Sequence, residues 1–292
     1  MNIWELLKVI FFGIVEGITE WLPVSSTGHM ILVEHYMKLD VSREFWDMFL
    51  VVIQLGAILA VVVLFWKQIF PFHYVNDVNG INKSNSPNSP NHFDKKFHIN
   101  IDMDIMQMWF KVMVAVLPAI VIALPFDDII EEMFYTPLTV ALMLIAYGIL
   151  FIVVERWNKG KETGVSDMEQ LTYKMALFIG IFQILALIPG TSRSGATIIG
   201  AMLIGTSRKV AAEFTFYLAI PVMFGASLLL LVKFGFHFTA AEFTILFVGM
   251  LTAFIVSVFV IKFLMDYIKK HDFQVFGWYR IALGIVLLLF IK

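Results

Sequence analysis

The chain has 292 residues, 60% of them hydrophobic and 15% charged, with 29 Phe, 16 Met and no Cys. That apolar share exceeds what a soluble domain carries and points to a polytopic α-helical membrane protein. The net charge of −2 says little about partners, but no basic arm or basic–aromatic face points to nucleic acid, and the lack of cysteine excludes disulfides, thiolate metal sites and a catalytic thiol.

The first residues, MNIWELLKVI, lack a basic leader and a small-residue cleavage site, so they read as mature helix and not as a removable signal peptide. Residues 3–22 form a helix that Pro23 stops, followed by Val24-Ser25-Ser26-Thr27-Gly28. The apolar piece at 29–37 is too short to cross a bilayer, which takes roughly 20 apolar residues. Six stretches reach that length: 45–67, 108–126, 137–156, 208–232, 241–264 and 274–291. Between the first two, residues 68–107 contain VNDVNGINKSNSPNSPNHF and read as a flexible insertion. His73, His92 and His98 in it lack a ligand-like spacing and are read as solvated, and the Asn82-Lys83-Ser84 sequon carries no information on a loop expected in the cytoplasm. Residues 171–188 repeat the opening pattern, stopped by Pro189-Gly190, with another short piece at 196–205.

Helix, polar break and short return helix together predict a re-entrant hairpin, since broken backbone at membrane depth survives only where protein or water satisfies it. The pattern occurs twice. GIVEGITEWLPVSSTG (13–28) resembles GIFQILALIPGTSRSG (180–195), with Glu16 over Gln183 and Pro23 near Pro189 after a one-residue gap; FLVVI (49–53) lies over FYLAI (216–220). The expected fold is therefore all-α and polytopic: six transmembrane helices plus two re-entrant hairpins in an inverted repeat. It forms one membrane domain over 1–292, with pseudo-repeats at about 1–156 and 171–292. Under this topology fifteen Lys and Arg, Arg280 among them, fall on one side. Only Lys8, Lys38, Arg43, Lys233 and Lys292 fall on the other, beside the acidic Asp127, Asp128, Glu131 and Glu132. That bias puts both termini outside and opens the first hairpin outward. Trp21, Trp46, Trp66, Trp109 and Trp278 are read as packing or interface anchors.

The polar residues of the two breaks carry the chemistry. An intramembrane Glu or Arg costs about 2.5–3.5 kcal/mol even on insertion scales, so Glu16, Glu20, His29 and Arg193 are expected around one buried polar site. Glu16 and Glu20, at i and i+4, share a helix face and repel unless they share a proton or a hard cation such as Mg²⁺ or Ca²⁺. Gly13 and Gly17, at the same spacing, admit a close helix neighbour. Ser25, Ser26, Thr27 and His29 make either an anion cradle with an acid/base or an ordinary helix cap. Pro189-Gly190-Thr191-Ser192-Arg193-Ser194-Gly195-Ala196-Thr197 offers close backbone approach, hydroxyl donors and a guanidinium fork for phosphate; it lacks the lysine of a nucleotide loop. The competing reading makes Arg193 a structural partner of Glu16 or Glu20.

These two motifs resemble those of the undecaprenyl-diphosphate phosphatase (bacitracin-resistance) family, E-G-x-T-E-x-x-P-V-S-S-T-G-H and P-G-x-S-R-S-x-x-T, matched here by Glu16 to His29 and Pro189 to Thr197. The resemblance covers nearly the whole chain in layout. It implies hydrolysis of undecaprenyl diphosphate to undecaprenyl phosphate and inorganic phosphate, recycling the peptidoglycan lipid carrier in the bacterial cytoplasmic (inner) membrane and giving bacitracin resistance, with the site facing outward. It implies Ser26 as nucleophile, His29 as acid/base, Glu20 as catalytic carboxylate and Arg193 as diphosphate clamp. Ser25, Thr27, Gly190, Ser192, Ser194 and Thr197 are the supporting substrate-binding positions, and Glu16 with Glu20 would hold Mg²⁺ or Ca²⁺. Partners are then the polyprenyl lipid and the membrane, with homodimerisation left open. A transporter or flippase working by alternating access is the competing class.

Overall fold

The computed structural model describes residues 2–76, 97–235 and 237–290. Helix α1 (Ile3–Thr19) starts at Asn2, whose side chain accepts from the Glu5 N–H at 2.8 Å. It ends three residues earlier than expected, and residues 20–24 turn into α2 (Ser26–Tyr36). Then come α3 (Arg43–Leu64) and the single turn α4 (Trp66–Ile69). Strands β1 (Phe72–Asn76) and β2 (Phe97–Ile101) pair antiparallel, Phe72 opposite Ile101. Helices α5 (Met103–Phe134) and α6 (Pro137–Asn158) close the first half. The second half holds α7 (Tyr173–Ile184), which tightens into a 3₁₀ turn at Leu185–Leu187, and α8 (Arg193–Leu203). It continues through α9 (Arg208–Phe234), α10 (Ala240–Tyr267) and α11 (Gln274–Phe290).

The chain is a multi-pass, predominantly helical membrane protein. Among the described residues, α3, α6, α9, α10 and the stretch Met103–Phe126 of α5 are long and apolar enough to cross a bilayer. The expected sixth span is the 17-residue α11, which rises about 25 Å. Large side chains such as Phe110, Leu117, Ile149, Phe247 and Phe259 stay exposed around the outside, the surface a lipid solvent accepts. The insertion is narrower than expected, because a β-ribbon orders both of its ends; His92, the Asn82-Lys83-Ser84 sequon, Lys83, Lys95 and Lys96 lie outside the described residues, as does Lys292. Trp21 and Trp46 are core residues, while Trp66 and Trp278 are exposed and Trp109 donates to the Ile69 carbonyl at 2.6 Å.

Both short helices return to the side they come from. Lys8 Nζ donates to the Lys38 carbonyl (2.7 Å) and Asp40 N–H to Glu5 (3.2 Å), tying the end of the first hairpin to the start of α1. In the second, Val165 N–H donates to the Gly205 carbonyl and Ser207 N–H to the Val165 carbonyl, joining the approach to α7 with the exit from α8.

The halves are related by inversion, and helix packing shows it. Helix α1 packs on α10 as its counterpart α7 packs on α5, while α3 packs on its counterpart α9 and α6 on α11. The α3–α9 pair runs antiparallel: Phe45 meets Phe234, Ser227 Oγ donates to the Val51 carbonyl, and Phe65 meets Tyr217. The α6–α11 pair does the same, Gly148 facing Gly277 while Gly284 faces Ala141 and Ile145. Equivalent helices that pack antiparallel require a pseudo-dyad perpendicular to them, hence lying in the membrane plane.

Candidate active site

Ser25 and Ser192 are the non-glycine residues with positive φ among those described, at 72° and 71°. They stand 167 residues apart, so the sequences align without a gap and Pro23 falls opposite Gly190, one residue on from the pairing expected with Pro189. A left-handed non-glycine residue costs roughly 1–3 kcal/mol and persists where its surroundings dictate it. Each serine caps the returning helix: Ser25 Oγ accepts from Gly28 N–H (3.4 Å) and Ser192 Oγ from Gly195 N–H (3.2 Å). The next residue in each half, Ser26 or Arg193, is thereby the first residue of a buried helix N-terminus, where free N–H groups favour an anion.

Those two residues meet on one carboxylate. Ser26 Oγ donates to Glu20 Oε2 at 2.9 Å, and Arg193 Nη2 to Glu20 Oε1 at 3.0 Å. Ser194 Oγ donates to the Glu20 carbonyl at 3.2 Å. The end of α1 therefore gathers the starts of α2 and α8 from opposite halves of the chain. Arg193 Nη1 donates to the Thr215 carbonyl at 3.0 Å, and its buried Nε has no partner among the described residues. Thr197 Oγ1 lies 2.8 Å from Thr215 Oγ1 and donates to the Arg193 carbonyl, fixing the first turn of α8.

A cavity of about 510 Å³ leads to this junction. Glu16, Ser26, Thr27 and Met30 line it, with Leu50, Val51 and Gln54 of α3 and Leu229 and Leu230 of α9. Glu16 is 1% exposed, whereas the side chains of Arg43 and Asp47 in the same wall are 61% and 53% exposed, which makes Glu16 the floor and the start of α3 the mouth. Among the described residues no three His, Cys, Asp or Glu side chains cluster as a metal cage. The residues nonetheless fit a hard cation of the kind that keeps its waters and shares substrate phosphates. Glu16 Oε1 is a buried carboxylate oxygen with no hydrogen-bond partner among the described residues, and Glu20 stands one turn away with both oxygens engaged.

His29 faces elsewhere. Its Nδ1 lies 2.7 Å from the Ser25 carbonyl, which can only accept, so Nδ1 carries the proton and Nε2 accepts from the Tyr279 hydroxyl at 2.7 Å. The two rings stack on the α2–α11 seam. Of the expected supporting residues, Thr27 lines the cavity; Ser25, Ser194 and Thr197 are buried and brace the breaks, and Ser192 Oγ lies 3.1 Å from Ser194 Oγ. Gly190 has φ 92° and packs on the Val140 backbone, where a Cβ would clash at 2.6 Å from the carbonyl oxygen. Arg280 needs correcting: counted by sequence as a loop charge, it is 0% exposed and donates to the carbonyls of Pro23, Gly190 and Thr191. Its position within an apolar stretch was the signal, because arginine is as costly there as Arg193 is in the second break.

The family model described as bacitracin resistance protein BacA matches residues 9–286. An undecaprenyl-diphosphatase of Lachnoclostridium phytofermentans is 59% identical over 286 residues, covering 98% of this chain and 97% of that protein. Those of Acetivibrio thermocellus and Enterococcus faecalis are each 57% identical, over 98% of this chain and 97% and 96% of theirs.

Proposed function

As the chain belongs to the bacitracin resistance protein BacA family, we propose that it hydrolyses undecaprenyl diphosphate to undecaprenyl phosphate and inorganic phosphate in the bacterial cytoplasmic membrane. The carrying observation is the Glu20 junction, where a hydroxyl from one half and a guanidinium from the other share a carboxylate. On binding, phosphate oxygens replace Glu20 on the Arg193 fork, the bidentate exchange that guanidinium favours. Glu20 is then free to accept the Ser26 proton. Ser26 Oγ attacks the terminal phosphorus, the bond to the bridging oxygen breaks, and its electron pair leaves with undecaprenyl phosphate. Water then cleaves the phosphoserine. In the direct route water attacks the same phosphorus, its proton passing to Glu20, or to His29 once that ring leaves Tyr279 and turns toward the junction. Both routes draw on positioning and electrostatics. Glu16, with Glu20, would hold Mg²⁺ or Ca²⁺, which supplies charge neutralisation for the diphosphate. The cavity mouth lies on the N-terminal side of the fold, and the Lys and Arg bias supports that side as the outer one, with recycling of the carrier and bacitracin resistance as consequences.

Phosphate release from the lipid diphosphate in detergent, where no gradient exists, is the test. Arg193→Ala and His29→Ala should nearly abolish it, and near-normal turnover in Ser26→Ala would exclude the covalent route. The antiparallel pairing of α3 with α9 favours a second reading, alternating access by a lipid-phosphate transporter; movement of lipid in sealed vesicles without phosphate release would select it.

A further inference from the structure

Arg280 is a buried charge that the reaction chemistry leaves unused. It has no acidic partner among the described residues: its guanidinium donates from Nη1 to the Pro23 carbonyl (3.3 Å) and from Nη2 to those of Gly190 (2.9 Å) and Thr191 (2.5 Å). Beside it lie the rings of Tyr147 and Phe151, 5.5 and 5.9 Å from Cζ to the ring centroids. A charge buried among neutral groups stabilises a fold less well than an apolar side chain of the same size, so packing alone does not account for it.

The carbonyls it selects are informative. Pro23 and Gly190 are the same position in the two repeats, 167 residues apart. Two residues beyond each stands the strained serine, Ser25 or Ser192, and then Ser26 or Arg193, which converge on Glu20. The fork comes from one half only. Gly148 and Gly277 approach each other reciprocally across α6 and α11, and three residues beyond each stand Phe151 and Arg280, so the counterpart of the arginine is a phenylalanine. Gly195 makes room for the fork, since a Cβ there would lie 2.5 Å from Nη1.

We propose that Arg280 is a positioning residue that fastens the two helix breaks to each other and so holds Ser26 and Arg193 in register on a single phosphate; this rests on the phosphatase reading. Lysine keeps the charge but replaces a planar fork with one ammonium, and it does not hold carbonyls of both halves in the same geometry. Arg280→Lys should therefore stay folded in detergent while kcat falls about 100-fold, with KM within about twofold, the signature of misplaced reacting groups and not of weakened lipid binding. In hydrogen exchange of Arg280→Lys without substrate, peptides spanning 20–30 and 188–198 should lose protection together, with α3 and α9 unchanged. Wild-type kcat in both Arg280→Lys and Arg280→Met overturns the proposal, and so does an exchange increase spread evenly over the molecule. Should the wild-type protein release no phosphate, the phosphatase reading fails by itself, and the exchange measurement still decides whether Arg280 couples the breaks.

Discussion

Glu16 and Gln183 occupy equivalent positions in the repeats, both buried, and Glu16 sits at the floor of the cavity. Glu16→Gln keeps the shape and removes the charge. If Glu16 holds a cation, the Mg²⁺ concentration giving half-maximal phosphate release should rise at least about tenfold, the effect expected for the loss of one charged ligand. An unchanged metal titration would remove Glu16 from that role. His29 invites a graded comparison. The Ser25 carbonyl fixes its ring and tautomer, so Tyr279→Phe removes one hydrogen bond and leaves the imidazole in place. A net loss near 1 kcal/mol corresponds to about fivefold in activity, far short of the loss expected for His29→Ala. If Tyr279→Phe proves as inactive as His29→Ala, the phenol itself takes part in the chemistry.

At the scale of elements, close helix approach depends on glycine. A Cβ on Gly17 would stand 2.8 Å from Val256 Cβ and 2.9 Å from the Ala253 carbonyl of α10, and one on Gly180 would run into the Ala115 backbone of α5. Gly17→Leu should cost about 1–3 kcal/mol, read as a lower melting temperature in detergent with activity per folded molecule also reduced, because α1 carries Glu16 and leads into Glu20. Unchanged melting would mean that the α1–α10 contact is looser than this geometry. The spacing of Gly13 and Gly17 announced a close neighbour without saying which helix it was. Hydropathy located the spans, and Pro23 and Pro189 located both breaks, because covalent geometry and solvent cost act locally. The ribbon of β1 and β2 escaped, since short strands flanking a polar tract carry no lasting period. Arg280 escaped because its partners are carbonyls more than 85 residues away, and backbone acceptors leave no mark in a sequence.

For the molecule as a whole, the pseudo-dyad poses the question of access, since a symmetric protein would open equally to both sides. Carried through the 167-residue offset, the cavity residues Asp47, Leu50 and Val51 become Phe214, Tyr217 and Leu218, all buried. Trp21 and Phe65 pack edge-on against Phe216 and Tyr217 in that region, so the second side is filled by aromatic core. Access is therefore one-sided, through the mouth formed by the start of α3, Tyr135 and the end of α9, where Lys233 is exposed. The charges support the proposed outward orientation of that mouth. With Arg280 removed from the loop charges, Arg156, Lys159, Arg208 and Lys269 still stand at helix ends on the face opposite the mouth. The chain has no cysteine, so single introduced cysteines report directly. In intact cells Lys233→Cys should react with a membrane-impermeant maleimide and Lys159→Cys only after the membrane is opened, with undecaprenyl diphosphate slowing the first reaction and not the second. The reverse labelling pattern would turn the molecule over and place phosphate release in the cytoplasm, where a carrier emptied on the outer face would be out of its reach.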